Sequence, residues 1–293
     1  MKGTSIRATL GFMLLCTSVF LLPPAAANAA TDTSFLSFTS DADDWVGQGE
    51  SRTFTSTDGV LWFAMVDAST FVTTFNGYGS NADLHLRAPS GQPLVAGPYE
   101  NATRFQSGDP SLPQLDFGYN HRGCNIITGR FDVLEATYGP YNYIQKFHAT
   151  FEQHCEGSTA ATYGEVQVVN PPPPPTQQLQ VSVDPVGTVD KWGIATIGGT
   201  VTCSLPISYP DVPTIMGTIT QTTRDGTVTG DIATFAMSCT PGSDPWAYTV
   251  YGFRVGRAQV TVTARAPEPN YPGEYSPAVT ISAETRLHRA MPR

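Results

Sequence analysis

The side chains with the most chemical potential sit in one run, Arg122 to Gly157, reading RGCNIITGRFDVLEATYGPYNYIQKFHATFEQHCEG. His148, Glu152 and His154 share one side of an extended strand, where each two-residue step advances about 6.6 Å. Two imidazoles and a carboxylate are zinc-type ligands. The spacing matches no fixed ligand pattern, however, so a solvated polar face is the competing reading. Tyr138, Tyr141 and Tyr143 surround a turn at Gly139–Asn142, and Tyr119 stands in the loop before Cys124. Phenol rings on a rigid β platform can stack on the apolar face of a sugar, or can simply be cross-strand partners. Asp41, Asp43 and Asp44 pack hard oxygens into one short loop. Calcium takes such ligands; the same residues also cap turns and keep an acidic surface soluble.

Nucleophilic catalysis has little to work with. No serine lies in a G-x-S-x-G elbow, and the five histidines are scattered. Among 25 acidic residues some carboxylate pair is always available, so a glycosidase pair is a weak signal.

These residues need a frame, and the pattern supplies a β-hairpin. Gly139-Pro140-Tyr141-Asn142 has turn chemistry. Phe131 and Val133 before it, and Phe147, Ala149, Phe151 and Cys155 after it, alternate onto one side, leaving His148, Thr150, Glu152 and His154 on the other. Cys16 lies in an N-terminal apolar run, which leaves Cys124, Cys155, Cys203 and Cys239. An even count in an exported chain reads as disulfides, and a proline run between the second and third favours Cys124–Cys155 and Cys203–Cys239. No C-x-x-C is present for zinc.

Residues 1–29 read as a secretory signal peptide: Lys2 and Arg7, an apolar stretch from Leu10 to Leu22, then Ala27-Asn28-Ala29. No later stretch is apolar enough to span a bilayer, so the expectation is an exported, released chain. Removing the leader leaves 14 basic and 25 acidic residues, net −11. Residues 30–170 carry net −10 (16 acids, 6 bases), which excludes nucleic-acid binding.

Pro171–Pro175 divides the chain. Five prolines form an extended spacer of roughly 15 Å, expected to hold two bodies apart. The predicted organisation is a domain over 30–170, a proline-rich linker over 171–177, a second domain over 178–286 and a tail over 287–293. In the first, strand-like runs fall at Ser34–Thr39, Ser51–Thr55, Val60–Val66, Phe71–Phe75, Ala82–Arg87, Thr103–Phe105, Ile126–Tyr138, Tyr143–His154 and Gly164–Val169. About seven follow the prolines, rich in Thr and Val. Many short strands without helical periodicity predict an all-β protein: two β-sandwiches, the first jelly-roll-like and the second immunoglobulin-like.

The segments Ala88–Leu94, Tyr99–Phe105, Arg122-Gly123-Cys124-Asn125 and Phe151–Gly157 together resemble a secreted bacterial β-sandwich family, over most of residues 34–169. The chain departs from that pattern at Thr150, where the family carries aspartate, and at Tyr119 and His121, where it carries glycines. The second half is more loosely similar to immunoglobulin-like modules of exported bacterial proteins, through Gly199–Cys203 and Gly256-Arg257-Ala258. Neither resemblance implies an enzyme. The functional expectation is a non-catalytic extracellular module whose partner is a glycan or protein of the cell envelope, glycan first. A hydrolase using acidic residues of the first domain and a ligand-free spacer are the alternatives.

Overall fold

The computed structural model describes residues 33–291 apart from Tyr78; the signal peptide expected over residues 1–29 lies outside them. Ten strands build the first sandwich: β1 (Phe35–Ser40), β2 (Ser51–Thr55), β3 (Gly59–Asp67), β4 (Thr70–Gly77), β5 (Ser80–Arg87), β6 (Gly97–Arg104), β7 (Gln114–Tyr119), β8 (Ile127–Tyr138), β9 (Ile144–Cys155) and β10 (Ala161–Val169). They form one ladder, β2-β1-β10-β9-β8-β6-β7-β5-β4-β3. It turns a corner at β6–β7, which pair in parallel at only Thr103–Gln114 and Arg104–Leu115. The two halves of the ladder then close face to face over phenylalanines. Phe71 of β4 stacks on Phe147 of β9 at 4.1 Å, Phe54 of β2 on Phe75 of β4 at 4.4 Å, and Phe117 of β7 meets Phe151 of β9 at 5.1 Å. Each such pair adds about 0.5–1.5 kcal/mol beyond the area it buries.

The hairpin β8–β9 is the spine of this sandwich. Phe131, Val133, Phe147, Ala149, Phe151 and Cys155 face the core as the alternation predicts. Gln153 shares that side and is 0% exposed; its amide accepts from Phe117 N at 2.7 Å and donates to Phe117 O at 2.9 Å. One side chain thus satisfies both polar groups of a residue on the opposite layer. Cys124 and Cys155 are bonded at the open end of the hairpin.

Strand β7 lies between Pro113 and Asn120 where no strand was predicted, and it places Tyr119 in a sheet rather than a loop. Its three inward residues, Leu115, Phe117 and Tyr119, are too short a run beside prolines to stand out in the sequence.

The second sandwich has its own core around Ile197, Ile215, Trp246, Val260 and Leu287. Its strands are β11 (Leu179–Val181), β12 (Val186–Val189), β13 (Ile194–Cys203), β14 (Ile207–Ser208), β15 (Thr214–Thr223), β16 (Gly226–Phe235), β17 (Ser238–Cys239), β18 (Asp244–Tyr251), β19 (Gly256–Arg265) and β20 (Val279–Arg289). One sheet runs β12-β20-β19-β15-β16, and β13 joins β11 and β18. β12 pairs in parallel with β20, from Val186–Arg286 to Val189–Arg289. This immunoglobulin-like layering carries the second disulfide, Cys203–Cys239. Because β20 continues to Arg289, residues 287–289 belong to a strand and not to a tail. Gln177, expected in the linker, is buried and exchanges two 2.8 Å hydrogen bonds with the backbone of Leu205. Among the described residues no helix is long and apolar enough to cross a membrane.

The proline run does not stand clear of what flanks it. Tyr143 donates to Pro171 O at 3.0 Å, Tyr271 to Pro174 O at 2.6 Å, and the Asn270 amide to Pro175 O at 2.8 Å. Proline carbonyls keep full acceptor strength although the ring removes the donor, so a proline run can be gripped from both sides.

Candidate functional site

The outer side of the β2-β1-β10-β9-β8 sheet carries a trough whose plan follows from register. Thr53, Ser37, Glu165, Thr150 and Asp132 lie in one line across the five strands; Ser51, Thr39, Tyr163, Glu152 and Arg130 lie in another. Between them runs a line of opposite pleat: Arg52, Phe38, Gly164, Phe151 and Phe131. Those three phenylalanines point into the core, so their backbone forms the floor and the two outer lines form the walls. These fifteen residues enclose about 540 Å³. Strand spacing makes the trough about 19 Å long from β2 to β8, and the two-residue step sets its width at about 7 Å.

Gly164 sits mid-floor because of the core below it. A Cβ there would lie 2.2 Å from the Phe151 ring.

The walls are hydroxyls, carboxylates and one arginine, with a single aromatic, Tyr163, which is 42% exposed. Along one wall His154 Nε2 lies 3.0 Å from Glu152 Oε1, and Arg130 Nε donates to Glu152 Oε2 at 3.1 Å. The His154 hydrogen bond, against an opposing push from burial and with Arg130 adding to it, holds the Glu152 carboxyl below the usual carboxylate range. His154 Nδ1 faces Ala160 O at 3.2 Å, which fixes the ring. On the other wall His148 Nε2 lies 2.7 Å from Glu165 Oε1.

This geometry does not bring the zinc-type ligands together. His148 and His154 turn to different carboxylates on different strands, and no group of three metal-type ligands forms among the described residues.

The calcium-type ligands are kept apart in the same way. Asp44 is buried, and its Oδ2 accepts from Gly47 N at 2.6 Å and from Thr162 Oγ1 at 2.7 Å. Asp41 Oδ2 accepts from Ala161 N at 3.0 Å, while Asp43 is exposed. The first two aspartates tie the β1–β2 loop to the start of β10; they do not converge.

The tyrosine platform does not form either. Tyr119 is 1% exposed and donates to Glu50 Oε2 at 3.1 Å. Tyr138 is half-buried against the core, and burial raises its phenol. Tyr141 crosses to the second sandwich. Its Oη donates to Glu268 Oε1 at 2.7 Å, with Tyr275 O at 3.2 Å, and its ring meets Tyr271 at 5.0 Å. Tyr141 holds φ +54, a left-handed conformation costly for a non-glycine residue, so these contacts hold a strained turn in place. Tyr143 meets Tyr271 edge-on.

Sequence reasoning missed the trough's essential parts: Tyr163, Arg130, Asp132, Glu165 and the β1 and β2 hydroxyls. Glu152 and Thr150 alone were flagged. The visible signal was alternation of polar residues along Thr39, Tyr163 and Glu165, but only register across the sheet brings them together. No protein-family model matches the chain, and no curated protein matches it.

Proposed function

We propose that the protein is an exported binding module whose first sandwich holds an extended glycan chain in the trough. The N-terminal leader pattern and the two disulfides support export, since disulfides persist in oxidising compartments. The observation that carries the ligand class is the lining: a long, narrow trough of hydroxyls, carboxylates and Arg130 around one exposed tyrosine. Planar charged groups meet the paired hydroxyls of a sugar, and Tyr163 meets its apolar face. A peptide would instead add to a sheet edge through its backbone, and this trough lies on a sheet face.

Glu152 is unsuited to the general-acid half of a glycosidase pair. A general acid needs a raised carboxyl pKa, whereas its neighbours push this one down.

Calorimetric titration of the full chain with soluble neutral and acidic polysaccharides tests the reading. Tyr163→Ala is expected to weaken binding by roughly tenfold, the equivalent of about 1.4 kcal/mol, with an unchanged melting profile. A failure of every chain to bind overturns the proposal; release of reducing ends would replace it with the hydrolase.

A further inference from the structure

A second cavity, of about 350 Å³, opens at the loop end of the first sandwich and is lined by Trp45, His121, Arg122, Gly123, Asn125 and Glu156. None of these residues lines the trough. The cavity is built directly over Cys124–Cys155, since Gly123, Asn125 and Glu156 are the immediate neighbours of the two cysteines. Its walls are fixed by hydrogen bonds from three loops. Asp44 and Asp41 secure the loop that carries Trp45, and Arg122 Nε donates to Val46 O in that loop at 2.8 Å. Glu156 Oε1 accepts from Asn125 N at 2.6 Å and Ile126 N at 3.3 Å. His121, at φ +63, is held by the Asn81 side chain through its backbone N–H at 3.2 Å and its ring at 2.9 Å.

Two features of this rigid cavity lack a partner. The Trp45 indole is 58% exposed on a pinned loop. The Arg122 guanidinium forms no salt bridge among the described residues, and its Nη2 is buried without a hydrogen bond. Tyr119 lies under the guanidinium at 5.3 Å, which shares the charge without neutralising it. Glu156, the one acid in the cavity, spends Oε1 on two backbone amides. Gly123 borders open space, where a Cβ would meet nothing within 4 Å.

We infer that this end cavity is a binding site for a carboxylate-bearing sugar residue, the ring lying on Trp45 and the carboxylate facing Arg122. Glu50 lies near enough to feel the guanidinium but is paired with Arg52, so a flat apolar surface beside a guanidinium without a salt bridge selects a ligand with an apolar face and an adjacent anion, and a uronic acid has both. Charge-assisted pairing with arginine is stronger than neutral hydrogen bonding. The site depends on no part of the trough.

The test uses the full chain, a short uronic-acid oligomer and its carboxyl-reduced counterpart, followed by calorimetry and tryptophan fluorescence. The acidic oligomer is expected to bind at least roughly tenfold more tightly than the reduced one, by about 1.4 kcal/mol. Binding should weaken as salt is raised, disappear in Trp45→Ala and persist in Tyr163→Ala. Trp45 is exposed, so its replacement leaves the fold intact, which a melting curve checks. Arg122→Lys keeps the charge but not the fork, and is expected to retain a preference for the acidic oligomer at lower affinity. Equal affinity for the two oligomers, or binding that ignores Trp45→Ala, overturns the inference. Loss through Tyr163→Ala alone would move the acidic ligand to the trough and overturn it as well.

Discussion

The two sandwiches solve the same interior problem in the same way and differ on the outside. In the first, Gln153 pairs its amide with both backbone groups of Phe117. In the second, Gln221 does so with Arg254 at 2.9 Å for each bond, and Gln177 with Leu205. A buried amide side chain standing in for one residue of a missing strand is thus used three times. The outer faces diverge. The second sandwich displays hydroxyl ladders such as Thr263–Thr280 and Thr261–Ser282, with two exposed salt bridges, Arg254–Asp225 and Arg257–Glu284, and among the described residues no cavity of the kind found in the first. The first displays the Arg130–Glu152 salt bridge and the His148–Glu165 hydrogen bond beside two cavities. Shared interiors and unlike exteriors place chemistry in what stands outward, not in the fold.

The comparison breaks most sharply at the glutamines. Gln153→Ala strands one buried backbone donor and one acceptor, at about 1–3 kcal/mol per group; Gln221→Ala frees the same two groups of Arg254, which is exposed, so water takes up part of the loss. Gln153→Ala is expected to lose about 2–6 kcal/mol in urea unfolding and Gln221→Ala about 1–3 kcal/mol, with each loss confined to its own sandwich. A loss below about 1 kcal/mol in either would show that water replaces the amide there and that the shared device is not shared.

The contact between the sandwiches sharpens it next. Tyr141→Phe leaves one oxygen of buried Glu268 short of a donor, and is expected to cost about 1–3 kcal/mol. It should also separate the melting of the two halves into resolved steps by calorimetry. Burial first, then Glu268, pushes the Tyr141 phenol up to about 12. A folded pKa above the unfolded value of about 10 contributes stability below pH 10 that is lost as pH rises through the folded value. The two melts should therefore uncouple in that alkaline window in the wild type, and depend less on pH there in Tyr141→Phe, where Tyr271 of the contact, also raised by burial, remains to titrate.

The smallest effect lies on the trough wall. The Glu152 carboxyl is held low, so its contribution is present above the ordinary carboxylate range and lost as pH falls through the folded pKa. Carbon-detected NMR titration should show Glu152 protonating below the ordinary glutamate value of about 4.3, and His154→Ala should move it up toward that value. A Glu152 curve unmoved by His154→Ala would remove His154 as the cause.

Alternation made the hairpin legible: Phe147, Ala149 and Phe151 against His148, Thr150 and Glu152 can only be two faces of one strand. The disulfide pairing followed from the proline run between the middle cysteines. Gln153 was half-legible, a polar residue in an apolar slot between Phe151 and Cys155, but its partner Phe117 lies 36 residues away on an unrecognised strand. The trough was illegible because Ser37 faces Glu165 across 128 residues, and register between such distant strands is not a local property. Tyr141 showed a ring at a turn, which reads as a free tip; what it touches is Glu268, 127 residues on.

The parallel pairing of β12 with β20 has a mechanical meaning. Tension applied between Gln177 and Ala290 pulls β12 toward its N-terminal end and β20 toward its C-terminal end. In parallel strands those directions oppose each other along the strand axis. The hydrogen bonds from Val186–Arg286 to Val189–Arg289 are then loaded in shear, all at once, instead of being peeled one after another. The second sandwich, which carries the plainer outer face, is the half of the molecule suited to bearing a load along the chain.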